Sequence, residues 1–134
     1  AVERQLGAPV VEAVSQPGGF SPGAAARLRT ADGQRAFVKA IGPAPNPDSP
    51  ALHRREARIA AALPPTVAAP PLLWSYDEGE GGWVALLFAD IDGREPAQPW
   101  RADELDRVLV ALDAIGAALT PSPLPADVAG TASE

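Results

Sequence analysis

Short apolar-rich segments, separated by glycine-rich and proline-rich turns, dominate the chain between residues 10 and 89. Short apolar runs bounded by turn residues are typical of strands. Five segments are strand-like in this sense, and they cover residues 10–14, 24–30, 36–41, 72–76 and 83–89. Tight turns at residues 31–34 and 77–82 join the second segment to the third and the fourth to the fifth, which predicts antiparallel pairing.

Two further segments have a helical period. The first covers residues 51–63, after Ser49 as the N-cap and Pro50 at the first helical position, and it ends at Pro64-Pro65. The second, residues 102–119, has an apolar stripe formed by Leu105, Val108, Leu109, Leu112, Ile115, Gly116 and Leu119. The predicted fold is α+β, a five-stranded antiparallel sheet with one helix inserted between the third and fourth strands, followed by a C-terminal amphipathic helix.

The third strand contains the only lysine of the chain, Lys39, whereas the ten other basic residues are arginines. Because strand side chains alternate, Phe37 and Lys39 are predicted to share one face of the sheet. A compact ammonium group is well suited to bind phosphate oxygens. The alternative is a lysine on an edge strand whose ammonium extends along its own stem into solvent.

The inserted helix places a carboxylate among apolar residues. Its predicted buried stripe consists of Leu52, Glu56, Ile59 and Leu63. A buried carboxylate without a cation is costly, so Glu56 requires a partner or a position at the rim of the core. Arg54, Arg55 and Arg58 are local candidates, and our hypothesis is an ion pair with Lys39 across the contact between sheet and helix.

Residues 18–23 form a loop that contains three glycines and a serine, between the first and second predicted strands. Glycines allow backbone N–H groups to approach an anion closely. The loop is not a Walker A loop, because no Gly-Lys-Ser or Gly-Lys-Thr follows it, and no helix begins after it as a dinucleotide fingerprint requires. An ordinary long hairpin loop is the alternative.

This order of elements resembles the N-terminal lobe of the aminoglycoside phosphotransferase family, within the protein-kinase-like fold. The motifs that carry the resemblance are Gly18-Gly19-Phe20-Ser21-Pro22-Gly23, Phe37-Val38-Lys39, His53-Arg54-Arg55-Glu56-Ala57-Arg58 and Asp92-Gly93. It covers residues 10–119. It implies a nucleotide-binding lobe over residues 1–93, a connector and the first helix of the C-terminal lobe over residues 94–119, and a linker or truncated tail over residues 120–134.

The resemblance also implies roles for individual residues. Lys39 would bind the α- and β-phosphates of ATP, and Glu56 would hold Lys39 in position, so these two form the catalytic pair. The loop residues that would cover the phosphates are Gly18, Gly19, Phe20, Ser21 and Gly23. The adenine pocket would consist of Phe37 as a stacking ring, Phe88 as the gatekeeper, the C=O of Ala89 and the N–H of Ile91.

The family's catalytic loop, His-x-Asp followed by Asn, and its later metal-binding Asp are absent from the sequence, whose single histidine is His53 on the inserted helix. Asp90 and Asp92 are predicted to be connector residues, so we expect no metal site in this chain. We expect a piece of a longer phosphotransferase, inactive alone, whose missing lobe binds most of the Mg²⁺ and the small-molecule acceptor.

Length, composition and net charge limit the number of cores, the classes of partner and the location that we expect. A length of 134 residues with 46% hydrophobic residues is sufficient for a single core, and the net charge of −6 argues against nucleic acid or an anionic membrane as partner. The chain has no cysteine, no apolar run of about 18 residues and no signal-peptide pattern, and we expect a cytoplasmic location because ATP is present there.

Two other functions stay open at this point. The chain could be a nucleotide-binding or scaffold module without catalysis on the same fold. It could also be a small α+β interaction domain in which Lys39 and Glu56 are incidental. The sequence leaves the acceptor open, as well as the choice between ATP and GTP, because backbone contacts at Ala89 and Ile91 do not exclude guanine.

Overall fold

The computed structural model describes residues 1–17, 23–44 and 46–129. Within these ranges the chain forms five strands and four helices. They are α1 (Val2–Leu6), β1 (Val10–Ser15), β2 (Ala24–Thr30), β3 (Arg35–Ile41), α2 (Ser49–Ala62), β4 (Leu72–Asp77), β5 (Val84–Ala89), α3 (Ala102–Leu119) and α4 (Ala126–Ala129). The predicted α+β fold is confirmed, with its five-stranded antiparallel sheet, the helix inserted after β3 and the C-terminal helix α3. The short helices α1 and α4 were not predicted.

The sheet has the strand order β1-β2-β3-β5-β4, and all neighbouring strands are antiparallel. The chain leaves β3, forms α2 and the edge strand β4, and then returns to the centre of the sheet as β5. Lys39 is therefore paired on both sides, with Ala25 on β2 and Leu86 on β5. The alternative that Lys39 lies on an edge strand is wrong.

Both faces of the sheet carry apolar clusters. Leu86 and Leu87 are consecutive and fully buried, yet they belong to different clusters because strand side chains alternate. One cluster contains Leu6, Leu28, Ala36 and Leu87. The other contains Ile41, Val84, Leu86 and Phe88, with Phe37, Leu72 and the α2 residues Ala57 and Ala60 packed against it. Helix α2 thus covers the face that carries Phe37.

The buried face of α2 differs from the prediction. Leu52, predicted to be part of the buried stripe, is 64% exposed. The residues that pack against the sheet are Ala57 and Ala60, whose small side chains allow a helix backbone to approach closely. The helix begins at Ser49 itself, the predicted N-cap, and Ser49 and Pro50 are buried.

The chain divides into two compact units. The first contains Ala1–Ala61 and Pro70–Asp90, and it includes the whole sheet and all of α2 except its last residue. The second contains Ala62–Ala69 and the described residues from Ile91 onward, including α3. The predicted apolar stripe of α3 has three exposed leucines, Leu105, Leu109 and Leu112. None of the helices in the described part of the chain combines the length and the apolar character needed to cross a membrane.

Candidate functional site

Lys39 and Glu56 form the ion pair that the sequence suggested. Lys39 Nζ donates a hydrogen bond to Glu56 Oε1 at 2.6 Å, and the two side chains are 37% and 35% exposed. The ammonium also lies 5.7 Å from the centroid of the Phe88 ring, within cation–π range. An ion pair with this exposure stabilises a fold by only about 0.2–1 kcal/mol. Its main physical effect is to fix the position of the ammonium.

A second ion pair links α2 to the end of β4. Arg54 precedes Glu56 by two residues on α2. Its guanidinium contacts both carboxylate oxygens of Asp77, with Nε 2.9 Å from Oδ2 and Nη2 2.8 Å from Oδ1. It also donates to the carbonyl of Gly79. The hydrogen bond from Arg54, together with one from the Gly79 N–H, holds the pKa of Asp77 below its ordinary value. These contacts restrain the helix that carries Glu56.

Two aromatic rings share the face of Lys39. Phe37 on β3 stands directly opposite Phe88 on β5 in the strand register, and both belong to the cluster beneath α2. Phe88 is buried, whereas Phe37 keeps part of its surface exposed. Since directly opposed residues project to the same side of a sheet, an aromatic surface and an ammonium lie next to each other. Such a pair can hold a flat base beside a phosphate group.

Most of the predicted phosphate loop lies outside the residues that the structure describes. The predicted contacts that fall there are Gly18, Gly19, Phe20 and Ser21. Its last glycine, Gly23, is described. A Cβ atom at Gly23 would meet the carbonyl oxygen of Ala40 at 2.8 Å, closer than real Cβ atoms come. Glycine is therefore required at the end of the loop, where the backbone lies against β3 next to Lys39.

The predicted base-reading segment begins at the end of β5. Ala89 is the last residue of the strand, and its N–H donates to the carbonyl of Pro71 at 2.9 Å. The next side chain, Asp90, is buried in ion pairs with Arg27 and Arg35. Sequence reasoning missed this cluster and treated Asp90 as a connector residue, because the arginines are far away along the chain. Ile91, the other predicted contact, follows directly and has an exposed side chain.

A groove of about 370 Å³ lies in the second unit. It contains none of the predicted site residues and is lined by Arg94, Pro96, Glu104, Arg107, Val108 and Ala111. The buried carboxylate of Glu104 accepts the Ala97 N–H at 2.7 Å and a hydrogen bond from Arg94. These contacts, the Ala97 N–H first, hold the pKa of Glu104 below its ordinary value. Because every carboxylate oxygen is already engaged, Glu104 acts as a structural anchor for the start of α3.

Metal-ligating side chains do not cluster in the described residues, where no group of three or more His, Cys, Asp or Glu side chains could hold a metal ion. Comparison with protein-family models, curated proteins and solved structures found no match to this chain. The functional interpretation therefore depends on the arrangement of Lys39, Glu56, Phe37 and Phe88.

Proposed function

We propose that this chain is the nucleotide-binding lobe of an ATP-dependent phosphotransferase that acts on a hydroxyl group of a small molecule. The observation that carries the proposal is the Lys39–Glu56 ion pair on the sheet face that also bears Phe37 and Phe88. Lys39 with Glu56 is the specific part of the resemblance to the aminoglycoside phosphotransferase family.

The geometry of Lys39 supports phosphate binding. An ammonium has three N–H donors, and Glu56 accepts one of them in the structure. The side chain keeps 37% of its surface exposed, so the ammonium stays accessible to an anion. Because Lys39 is on a central strand and Glu56 on a restrained helix, the ammonium has a defined position. A defined donor is what binding of the α- and β-phosphates requires.

The other parts of the site have assigned roles in this proposal. Phe37 stacks on the adenine, Phe88 closes the back of its pocket, and the glycine loop that ends at Gly23 covers the phosphates. Phosphoryl transfer also needs a group that positions the nucleophile and ligands for Mg²⁺. We assign both to a second lobe of the gene product, which also holds the acceptor. Mg²⁺ bound there would neutralise charge on the phosphates.

Charge and location are part of the same proposal. A net charge of −6 disfavours nucleic acid as a partner, and ATP as substrate places the enzyme in the cytoplasm. The direct partners are then a nucleotide and a small hydroxyl compound.

Titration of the 134-residue chain with ATP, followed by ¹H–¹⁵N NMR, tests the nucleotide site. We expect weak, saturable shifts at Phe37, Lys39 and Phe88 that Lys39→Met abolishes. Arg54→Met is the matched control, since it removes another ion pair between α2 and the sheet without changing Lys39. Equal loss of the shifts in both variants would mean that α2 docking, and not the ammonium, accounts for binding.

Turnover is tested on the full-length gene product with ATP, Mg²⁺ and a panel of aminoglycosides and amino alcohols. If phosphorylated product forms with the wild type and not with a Lys39 variant, the result supports the assignment as a phosphotransferase. Nucleotide binding without any transfer would instead favour the non-catalytic nucleotide-binding module. If neither the chain nor the full-length product binds a nucleotide, the interaction domain is the better assignment.

A further inference from the structure

Trp83 is an exposed indole that lies against the backbone of the neighbouring strand. It directly precedes β5 and is 53% exposed. A Cβ atom at Gly42, directly after β3, would lie 2.7 Å from Cε2 and 2.9 Å from Cζ2 of this indole, closer than real Cβ atoms come. Gly42 is buried and is not among the glycines with positive φ, so space for the ring requires glycine here. One side of the indole therefore lies on the chain, and the rest is open to solvent.

Two more aromatic rings lie on the same face of the sheet. Tyr76 on β4 is directly opposite Ala85 on β5, and Trp83 precedes Ala85 by two residues, so all three side chains project to one face. Trp74 precedes Tyr76 by two residues, and the two rings stack with their centroids 6.0 Å apart. Tyr76 is 38% exposed. Three rings thus lie together at one end of this face, all within the first unit.

Small residues form the sheet surface between the rings. Ala85 is paired with Ala40 on β3. Because Ala40 follows Lys39 directly, this face is opposite to the one proposed for the nucleotide. A methyl group extends much less far from a sheet than an aromatic side chain does. Between Tyr76 and Trp83 the floor is therefore low, and an inserted side chain could contact the rings.

Glu78 gives this aromatic surface a negative charge. Its Oε2 accepts the backbone N–H of Trp83 at 2.9 Å, and its Oε1 accepts the hydroxyl of Tyr76 at 3.3 Å. Both donors are neutral, so in the described part of the chain no cation directly compensates this carboxylate, and each oxygen has room for a second hydrogen bond. The neighbouring Asp77, in contrast, is paired with Arg54. Desolvation and the charge of Glu78 raise the pKa of Tyr76, so its hydroxyl stays protonated at neutral pH.

A guanidinium group has the properties that fit this surface. It is planar and stacks on aromatic faces, it is always charged, and it donates paired hydrogen bonds to a carboxylate. Among aromatic rings, the indole attracts cations most strongly. Trp, Tyr and Arg are also the residues that most often dominate the binding energy of protein interfaces. One arginine side chain would cover the exposed indole of Trp83 and compensate the charge of Glu78.

We infer that Tyr76, Glu78 and Trp83 bind an arginine side chain of a partner protein. The guanidinium stacks on the indole and donates to the carboxylate, while apolar residues next to the arginine cover Trp74 and Ala85. A free guanidinium compound would leave these apolar surfaces exposed, so the occupant is a polypeptide. The net charge of −6 favours a basic partner. This arginine site does not depend on the proposed nucleotide site, because the two lie on opposite faces of the sheet.

The experiment measures the Kd of a probe peptide, acetyl-Ala-Leu-Arg-Leu-Ala-amide, for the 134-residue chain by NMR titration. We expect saturable shifts of the indole N–H resonance of Trp83. The same peptide with citrulline, a neutral and planar substitute for arginine, should bind about tenfold more weakly, since it lacks the charge. N-acetyl-arginine amide should also bind about tenfold more weakly, since it lacks the apolar neighbours.

Variants assign the binding to individual residues. Trp83→Ala should raise the Kd of the arginine peptide about tenfold, and Glu78→Gln should remove most of the difference between the arginine and citrulline peptides. Gly42→Ala should weaken binding although Trp83 is unchanged, because the added Cβ displaces the indole. Trp100→Ala is the matched control, since Trp100 is 45% exposed but belongs to the second unit, and it should change neither Kd.

Equal affinities for the arginine and citrulline peptides would overturn the inference, as would the absence of saturable shifts at millimolar peptide. An arginine preference that persists in folded Glu78→Gln would overturn the role of that carboxylate. If Trp83→Ala does not fold, the peptide ratio in Glu78→Gln decides. Equal affinities for the peptide and N-acetyl-arginine amide would overturn the choice of a protein partner. Failure of the chain to bind ATP overturns the proposed function and leaves the arginine site standing.

Discussion

Lys39 on a central strand and Glu56 on a helix meet with a nitrogen–oxygen distance of 2.6 Å, although 17 residues separate them along the chain. Both side chains stay partly exposed, so the pair adds at most about 1 kcal/mol to the free energy of unfolding. Variants of either residue should therefore fold. A large effect of such a variant on activity would then report on the site and not on the fold.

The first prediction concerns this pair. In the full-length gene product, Lys39→Met should reduce phosphotransfer by about two to three orders of magnitude, because a positioned charge on the phosphates is lost. Glu56→Gln should change activity in the same direction but less, since the ammonium remains and only its restraint is weakened. Steady-state kinetics with purified variants of similar melting temperature measure both effects. Near-wild-type turnover by a folded Lys39→Met variant would rule out the assignment.

Much of the first unit could be predicted from sequence because its determinants are local. Short apolar runs between turn signals, the Asp32-Gly33 turn and the Pro64-Pro65 stop place the strands and α2 within a residue or two. The five-residue helix α1 is too short to show a helical period, so it was missed. The predicted buried face of α2 was wrong at Leu52, which is exposed, because large residues were expected in the core, whereas Ala57 and Ala60 form the contact.

The candidate site likewise has one part that the sequence predicted and one part that it did not. The Lys39–Glu56 pair could be predicted, because a carboxylate on a predicted buried stripe needs a cation, and Lys39 is the only lysine of the chain and lies in a predicted strand. The Asp90 cluster could not, because its partners are 55 and more residues away and only the strand order brings them together. Long-range pairing of this kind depends on topology, which local spacing does not encode.

The second prediction concerns Phe37. Phe37→Ala should weaken nucleotide binding by about 1–3 kcal/mol, the usual range for the loss of an aromatic–base stack. Because Phe37 also packs against the cluster beneath α2, the alanine variant should have a lower melting temperature. Phe37→Leu separates the two effects, since it preserves apolar packing without the aromatic ring. Nucleotide affinities are measured by calorimetry. If the affinity of Phe37→Leu equals that of the wild type, Phe37 contributes to core packing and does not stack on the base.

The third prediction concerns Gly23. A methyl group at this position would stand 2.8 Å from the Ala40 carbonyl oxygen, and a paired strand cannot move away easily. Gly23→Ala should cost about 1–3 kcal/mol of stability, as overpacking usually does. Gly116→Ala is the matched control, because the space around Gly116 on α3 is open and alanine favours a helix by about 1 kcal/mol. Thermal melts should move in opposite directions for the two variants.

The fourth prediction concerns acid stability. Arg54 lowers the pKa of Asp77 in the folded chain, whereas in the unfolded chain the pKa returns to about 3.9. The stabilisation from ionised Asp77 is therefore present above about pH 4 and is lost as the pH falls through the folded pKa. The difference in unfolding free energy between wild type and Asp77→Asn should be largest near neutral pH and shrink in acid. Denaturant titrations between about pH 2 and pH 7 measure it.

A double-mutant cycle with Arg54→Met isolates this contribution from those of other carboxylates, including Glu104, whose pKa is also lowered. The coupling energy between Arg54 and Asp77 should have the same pH dependence as the single variant. A coupling energy that stays constant from neutral pH into acid would contradict the assignment of the Asp77 pKa shift to Arg54.

The last prediction is that residues 1–134 alone do not catalyse phosphoryl transfer. The proposed site provides a phosphate-binding ammonium and a surface for the base, but the reaction also requires a positioned nucleophile and bound Mg²⁺. The acidic side chains that an alternative mechanism could recruit are engaged elsewhere, Asp90 with two arginines and Asp77 with Arg54. Incubation with labelled ATP, Mg²⁺, aminoglycosides and amino alcohols should therefore yield no phosphorylated product. Turnover that needs Mg²⁺ and disappears in Asp77→Asn or Asp90→Asn would show that these carboxylates exchange their arginine partners for metal, and the chemistry would have to be reassigned to them.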